Sequence, residues 1–237
     1  MSPQTPNHQE LKRQAIQAYF ARWREDLTNV RTLLDDRRYR LEAILILSCY
    51  IDALGRLRYP KRSGDKAYKT IVKQYSGRRQ DFEMIDLLFF YQWPRSDFRD
   101  LKIYKELEHY ERLLEILVAT FGSEDQIRDP DRRYQNPNDI LAAVLANPFQ
   151  GFNRRNLQRK LPLFSIVEIL YRLVRCYAVH AKSFPLVQSY VDTHGRSGVR
   201  ENHFITAELL YTVTSNIIER YESECLAEGD WPHAFRS

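Results

Sequence analysis

Apolar residues recur at helical spacing along most of the chain, and the segments they mark follow one another with few interruptions. Leu11, Ala15, Ala18, Tyr19, Trp23, Leu27, Val30 and Leu34 form one stripe over residues 8–34, and Asp35-Asp36 reads as a break and a cap. A second helix over about residues 37–58 carries LEAILILSCYIDALGRL, apolar all round from Ile44 to Leu47, which places it in the core. Pro60 and Ser63-Gly64 mark a loop, and Ser63 is positioned to cap a short helix through Tyr75. FEMIDLLFFYQWP, within residues 80–94, is a continuous apolar run that reads equally as helix or strand. Ser96 is the expected cap of an amphipathic helix running to Phe121 and closed by Gly122. SEDQIRDPDRRYQNPND lacks an apolar period and predicts a loop or insert. ILAAVLAN predicts a short helix capped by Asn138 or Asp139, and NPFQGFNRRNLQRK a second loop.

The best-formed pattern is Leu163 to Lys182, LFSIVEILYRLVRCYAVHAK. Ile166, Ile169, Leu170, Leu173, Val174 and Tyr177 make its stripe, with Pro162 in the first turn and Pro185 past the end. HAKSFPLVQSYVDTHGRSGVREN reads as irregular. A last helix spans about His203 to Cys225, and GDWPHAFRS is a loose tail.

Composition sharpens this picture. Eight glycines among 237 residues, with long periodic segments, indicate an all-α protein. We read residues 1–237 as a single helical domain, with an N-terminal helix over 1–36, a tail over 226–237, and long loops or inserts around 123–160 and 183–202. No apolar run reaches the roughly 18 residues a membrane span needs, and MSPQTPNHQELKRQ lacks the apolar core of a signal peptide. Cys49, Cys176 and Cys225 are odd in number and widely spaced, as expected of reduced thiols in a cytoplasmic protein. His109 lies among Glu106, Glu108 and Glu111 without a second histidine cluster, so it reads as a surface residue; no metal or other cofactor is expected.

The net charge of +5 is unevenly distributed. Ala53 to Gln80 holds nine Lys/Arg and one acid, whereas Asp81 to Asp125 holds eleven acids and five bases. Arg56, Arg58, Lys61, Arg62, Lys69 and Lys73 are interleaved with Tyr59, Tyr68 and Tyr75, a pattern that suits single-stranded RNA through phosphate neutralisation and base stacking. Arg154 and Arg155 add a second basic group before the central helix. A solvated basic face balanced by the acidic segment accounts for the same charges. Asp52, in an oily stretch, requires a partner: Arg56 one turn on, a helix end, or a role in a site.

One constellation carries chemistry. Arg175-Cys176-Tyr177-Ala178-Val179-His180 is an R-x4-H sequence near the end of the central helix. It resembles the motif of HEPN domains (higher eukaryotes and prokaryotes nucleotide-binding), and the early apolar helix with its acid, LILSCYIDALGRL, agrees with that likeness over about residues 37–224. The resemblance implies an HEPN-like helical bundle and a metal-independent endoribonuclease, such as a toxin or effector of a prokaryotic antiviral defence system with a cognate inhibitor protein. It assigns catalysis to Arg175 and His180, with Asp52 and Cys176 as supporting positions. Cys176 stands where the family usually has Asn, Asp or His, and a thiol is a weak hydrogen-bond partner. A catalytically inactive helical module that binds RNA, nucleotide or a protein is the alternative.

In such a site the RNA 2′-OH is the nucleophile, histidine moves the proton, and arginine holds the phosphate oxygens. On an ideal α-helix, positions five apart point about 140° apart. In the family two protomers bring their motif helices into a joint cleft, and the angle therefore predicts a homodimer. Otherwise Arg175 pairs with Glu168 or solvent, and His180 is an ordinary helix-end histidine.

Overall fold

A computed structural model describes residues 8–95, 107–176, 188–191, 197–200 and 205–232. Its contacts divide the chain into two compact units, residues 1–79 with 171–237, and residues 80–170, where the sequence reads as one domain. Both are built of helices; among the described residues none is long and apolar enough to cross a membrane.

The first unit opens with α1 (His8–Asp35), within one residue of the predicted stripe, and Asp36 then caps a single 3-10 turn by accepting from the Arg38 backbone N–H. Next are α2 (Arg40–Arg58) and α3 (Gly64–Tyr75). Ser63 occupies the N-cap of α3, and its hydroxyl bonds the Asp65 carboxylate rather than a backbone N–H of the helix.

In the second unit, α4 (Arg79–Glu83), which begins at the boundary, is followed by β1 (Ile85–Asp86) and α5 (Leu87–Gln92). The ambiguous apolar run is thus mainly helical, interrupted by a two-residue strand. α6 (Tyr110–Phe121) ends at Gly122 as predicted but starts after His109, whose left-handed φ of 55° separates it from anything upstream. The continuous helix expected from Ser96 is corrected accordingly, and Ser96 itself lies outside the described residues.

The polar stretch after Gly122 is more ordered than a loop. A 3-10 turn over Gln126–Arg128 leads into α7 (Pro130–Arg133) and β2 (Tyr134–Gln135), which pairs antiparallel with β1. Asn136, rather than Asn138 or Asp139, caps α8 (Pro137–Ala146). The second expected loop contains α9 (Arg154–Lys160), capped by Asn153. In α7 and α9 polar residues outnumber apolar ones, so a periodicity argument sees only polarity there.

The predicted central helix is not a uniform α-helix. Leu161–Phe164 form a 3-10 turn, α10 covers Ile166–Ile169, and Leu170–Cys176 are wound as a π-helix; Tyr177 onward lies outside the described residues. Ile166, Ile169, Leu170, Leu173 and Val174 are all buried as the stripe requires. Back in the first unit, the segment expected to be irregular includes a hairpin, β3 (Gln188–Val191) with β4 (Ser197–Arg200). Last comes α11 (Ala207–Glu228), capped by Thr206 and closed by Gly229 in the left-handed region.

In the first unit α1, α2, α3 and α11 pack as a bundle around Phe20, Leu47, Ile51, Leu54, Ile71, Val213 and Ile217. At Gly55 α2 closely approaches α3: a Cβ there would lie 3.1 Å from the Ala67 carbonyl carbon. A larger residue would hold the two helices apart.

Candidate functional site

The close approach at Gly55 carries Ala67 and Tyr68 against α2, whose positions 48, 52 and 55 share one helical stripe. Ser48 and Tyr68 are fully buried, and Asp52 retains 13% of its side-chain exposure. The π-turn delivers Arg175 to the same place. Arg175 Nη2 donates to Asp52 Oδ2 at 2.8 Å, and Arg56 Nε donates to the same oxygen at 3.2 Å. Asp52 therefore finds both the neighbour expected one turn on and a second cation from the motif. Arg175, 14% exposed, pairs with Asp52 and with neither Glu168 nor solvent alone.

The rest of the guanidinium is lightly engaged. Nη1 lies 4.0 Å from Cys176 Sγ, and the guanidinium carbon sits 5.7 Å from the centre of the Tyr171 ring. A second cation is near, with Lys69 Nζ 5.8 Å from the same ring centre. The Tyr68 ring packs against Tyr171 with centroids 5.3 Å apart.

Four buried polar atoms here have no partner among the described residues: Ser48 Oγ, Asp52 Oδ1, Tyr68 Oη and Arg175 Nε. Burial pushes the Tyr68 phenol well above its ordinary value, and the Asp52 carboxylate adds to that shift. The Cys49 thiol is raised by burial, partly offset by Arg175. Tyr171 is raised by burial and by the neighbouring Cys176. Burial alone would lower Arg175, but the hydrogen bond and charge of Asp52 outweigh it, so the guanidinium is held more firmly protonated than usual.

The basic residues expected to bind RNA fall in several settings. Arg58 is spanned by Glu224 and by the Tyr75 hydroxyl, which accepts from its Nε at 2.8 Å. Arg62 bonds Thr70 Oγ1 at 2.7 Å and lies 4.7 Å from the centre of the Tyr59 ring. Lys69 pairs with Asp65 at 3.4 Å, Lys73 is half-buried on α3, and Lys61 is exposed in the turn before it. Arg154 and Arg155 are exposed on α9, in the second unit. The partners found for Arg56, Arg58 and Lys69 are acids of the first unit.

His180 lies outside the described residues. The angle between Arg175 and His180, on which the expectation of a dimer rests, therefore falls outside them too; the π-winding covers Leu170 to Cys176, the turns that lead up to Arg175. Among the described residues no three His, Cys, Asp or Glu side chains are grouped as metal ligands are. The sequence reading missed Ser48 and Tyr171, of which only the spacing of Ser48 and Asp52, one turn apart on an oily helix, was a visible signal; it named Tyr68 and Tyr75 as rings for base stacking, whereas both are buried in the core. The chain matches no family model, no curated protein and no solved structure.

Proposed function

We propose that this protein is a metal-independent endoribonuclease of HEPN-like type, acting through Arg175 and His180. The observation that carries this reading is the state of Arg175. It is fixed at one end by Asp52 and held protonated, while Nε and Nη1 have no strong acceptor among the described residues. That is the arrangement a phosphate-binding arginine needs: a preset charge that spends no binding energy on reorganisation. The π-winding adds support, since such turns are frequent at functional sites.

In the proposed reaction the 2′-oxygen of RNA attacks the adjacent phosphorus as its proton leaves. Arg175 binds the non-bridging oxygens, and the 5′-oxygen departs with a proton. His180 serves as the general acid/base, and the products are a 2′,3′-cyclic phosphate and a 5′-hydroxyl. The nucleophile belongs to the substrate, which restricts the substrate to RNA. Asp52 supports Arg175, and the exposed basic residues guide the strand. A homodimer with a joint cleft, a cytoplasmic role as a defence toxin or effector, and control by a cognate inhibitor complete the proposal.

The second reading, an inactive helical module that binds RNA, nucleotide or a protein, is favoured by Cys176. Its Sγ is the nearest partner of Nη1, at a distance and of a chemistry that position an arginine weakly. Cleavage of RNA in EDTA by the wild type, His180→Ala and Arg175→Ala separates the two. We expect cyclic-phosphate products from the wild type alone, with each substitution reducing the rate by about 10²-fold or more. Equal cleavage by all three, or none by a folded wild type that binds RNA, selects the binding module.

A further inference from the structure

Among the described residues Ser48 Oγ, Asp52 Oδ1, Tyr68 Oη and Arg175 Nε are buried without protein partners; Ser48 and Asp52 lie one turn apart on α2, Arg175 bonds Asp52, and Tyr68 feels the charges of both. They form a complementary set. Arg175 Nε and the Tyr68 hydroxyl offer protons, Asp52 Oδ1 accepts, and the Ser48 hydroxyl does either. Leaving one such group unsatisfied is expensive, and leaving four together would be a large fraction of a domain's stability. Direct bonds among them are not made, although Tyr68 feels the charges of both Asp52 and Arg175. One water seated among them would accept from Arg175 Nε–H and Tyr68 O–H and donate to Asp52 Oδ1 and Ser48 Oγ. Four bonds are within the range internal waters make.

We propose that Tyr68 and Ser48 are positioning residues for Arg175, acting through one internal water seated on Asp52. Asp52 alone grips the guanidinium at Nη2, about which the plane can swing. A second tie at Nε fixes the plane and leaves Nη1 as the edge presented outward. The socket depends on Gly55, because the contact of α2 with Ala67 and Tyr68 is what brings the phenol alongside Asp52. This inference rests on the proposed role of Arg175 only for its consequence in catalysis, not for the socket itself.

The test uses the full chain and the ¹⁵N–¹H signal of Arg175 Nε, assigned by its loss in Arg175→Lys. In the wild type that proton is protected from solvent. Tyr68→Phe and Ser48→Ala speed its exchange by about tenfold, the equivalent of one lost hydrogen bond. The same two variants lower kcat for RNA cleavage while KM holds, and Tyr68→Phe keeps the wild-type helical signal. Unchanged Nε–H exchange in both variants overturns the socket, whatever the activity. Faster exchange in a protein that cleaves no RNA upholds the socket and removes only the ribonuclease reading. If Tyr68→Phe fails to fold, Ser48→Ala alone decides, since it removes one hydroxyl and no packing volume of consequence.

Discussion

Two carboxylate–guanidinium pairs, one in each unit, are made from the same chemistry and finished differently. In the second unit Arg133 meets Asp86 with two parallel bonds, Nε to Oδ1 at 2.8 Å and Nη2 to Oδ2 at 2.6 Å. Asp86 Oδ1 also accepts the Phe89 N–H at 3.1 Å and so caps α5. The side chains retain 10% and 4% of their exposure, and every oxygen is used. In the first unit Asp52 spends one oxygen on two cations and leaves the other unpaired, while Arg175 keeps spare donors. The closed pair is a staple that ties the β1–α5 turn to α7. The open pair holds an arginine in readiness. The residue types are the same; the closed pair is the more deeply buried and the more completely hydrogen-bonded of the two.

The comparison can be broken in order of size. Asp86→Ala strands a buried guanidinium and uncaps α5, so we expect a loss of about 3–5 kcal/mol in urea unfolding. Asp52→Ala removes a less complete pair, and the expected loss is about 1–3 kcal/mol in the same measurement, with RNA cleavage falling further than stability explains. A larger stability effect at Asp52 than at Asp86 would reverse the assignment of staple and site. Arg56→Ala sharpens the contrast within the open pair. Its side chain is 60% exposed, so the bond to Asp52 is screened and the change in stability is below about 1 kcal/mol, while the Arg175 contact survives.

The smallest effect is on pH dependence. Burial raises Tyr68 and Tyr75 in the first unit and Tyr91 in the second above the ordinary phenol value of 10.0. A raised folded value means that the folded state keeps protons the unfolded chain releases. That contribution is fully present below pH 10 and is lost as pH rises beyond it. Circular dichroism from pH 8 to 12 should show unfolding beginning above about pH 10, and Tyr68→Phe should move its onset upward. An onset unmoved by that substitution would show that Tyr68 is not among the groups being titrated.

The long amphipathic helices were legible before any coordinates. The limits of α1 and the end of α6 at Gly122 follow from apolar spacing, Asp36 and Gly122, and α2 is apolar enough to require burial. The short elements were not legible. Arg133 and Asp86 are 47 residues apart, and nothing in QIRDPDRRYQ announces that one of its three arginines is buried. The R-x4-H sequence pointed to Arg175, but the π-winding beneath it was invisible. The same apolar residues satisfy a 3.6-residue period and an i→i+5 ladder over so few turns. Asp52 was flagged for needing a partner; that its partner would be Arg175, 123 residues on, was not foreseeable.

Sequence alone determined that this chain is helical, which helices are long, that its charge is segregated, and that Arg175 stands in an oily segment with an acid elsewhere needing a cation. These are local properties, written in spacing and residue type. Tertiary structure decided which acid meets which arginine, because that depends on how closely α2 approaches α3 at Gly55 and how the turn under Arg175 is wound. It also decided that one pair would be closed and the other left open, since hydrogen-bond completeness is a property of positions in space that no linear pattern records.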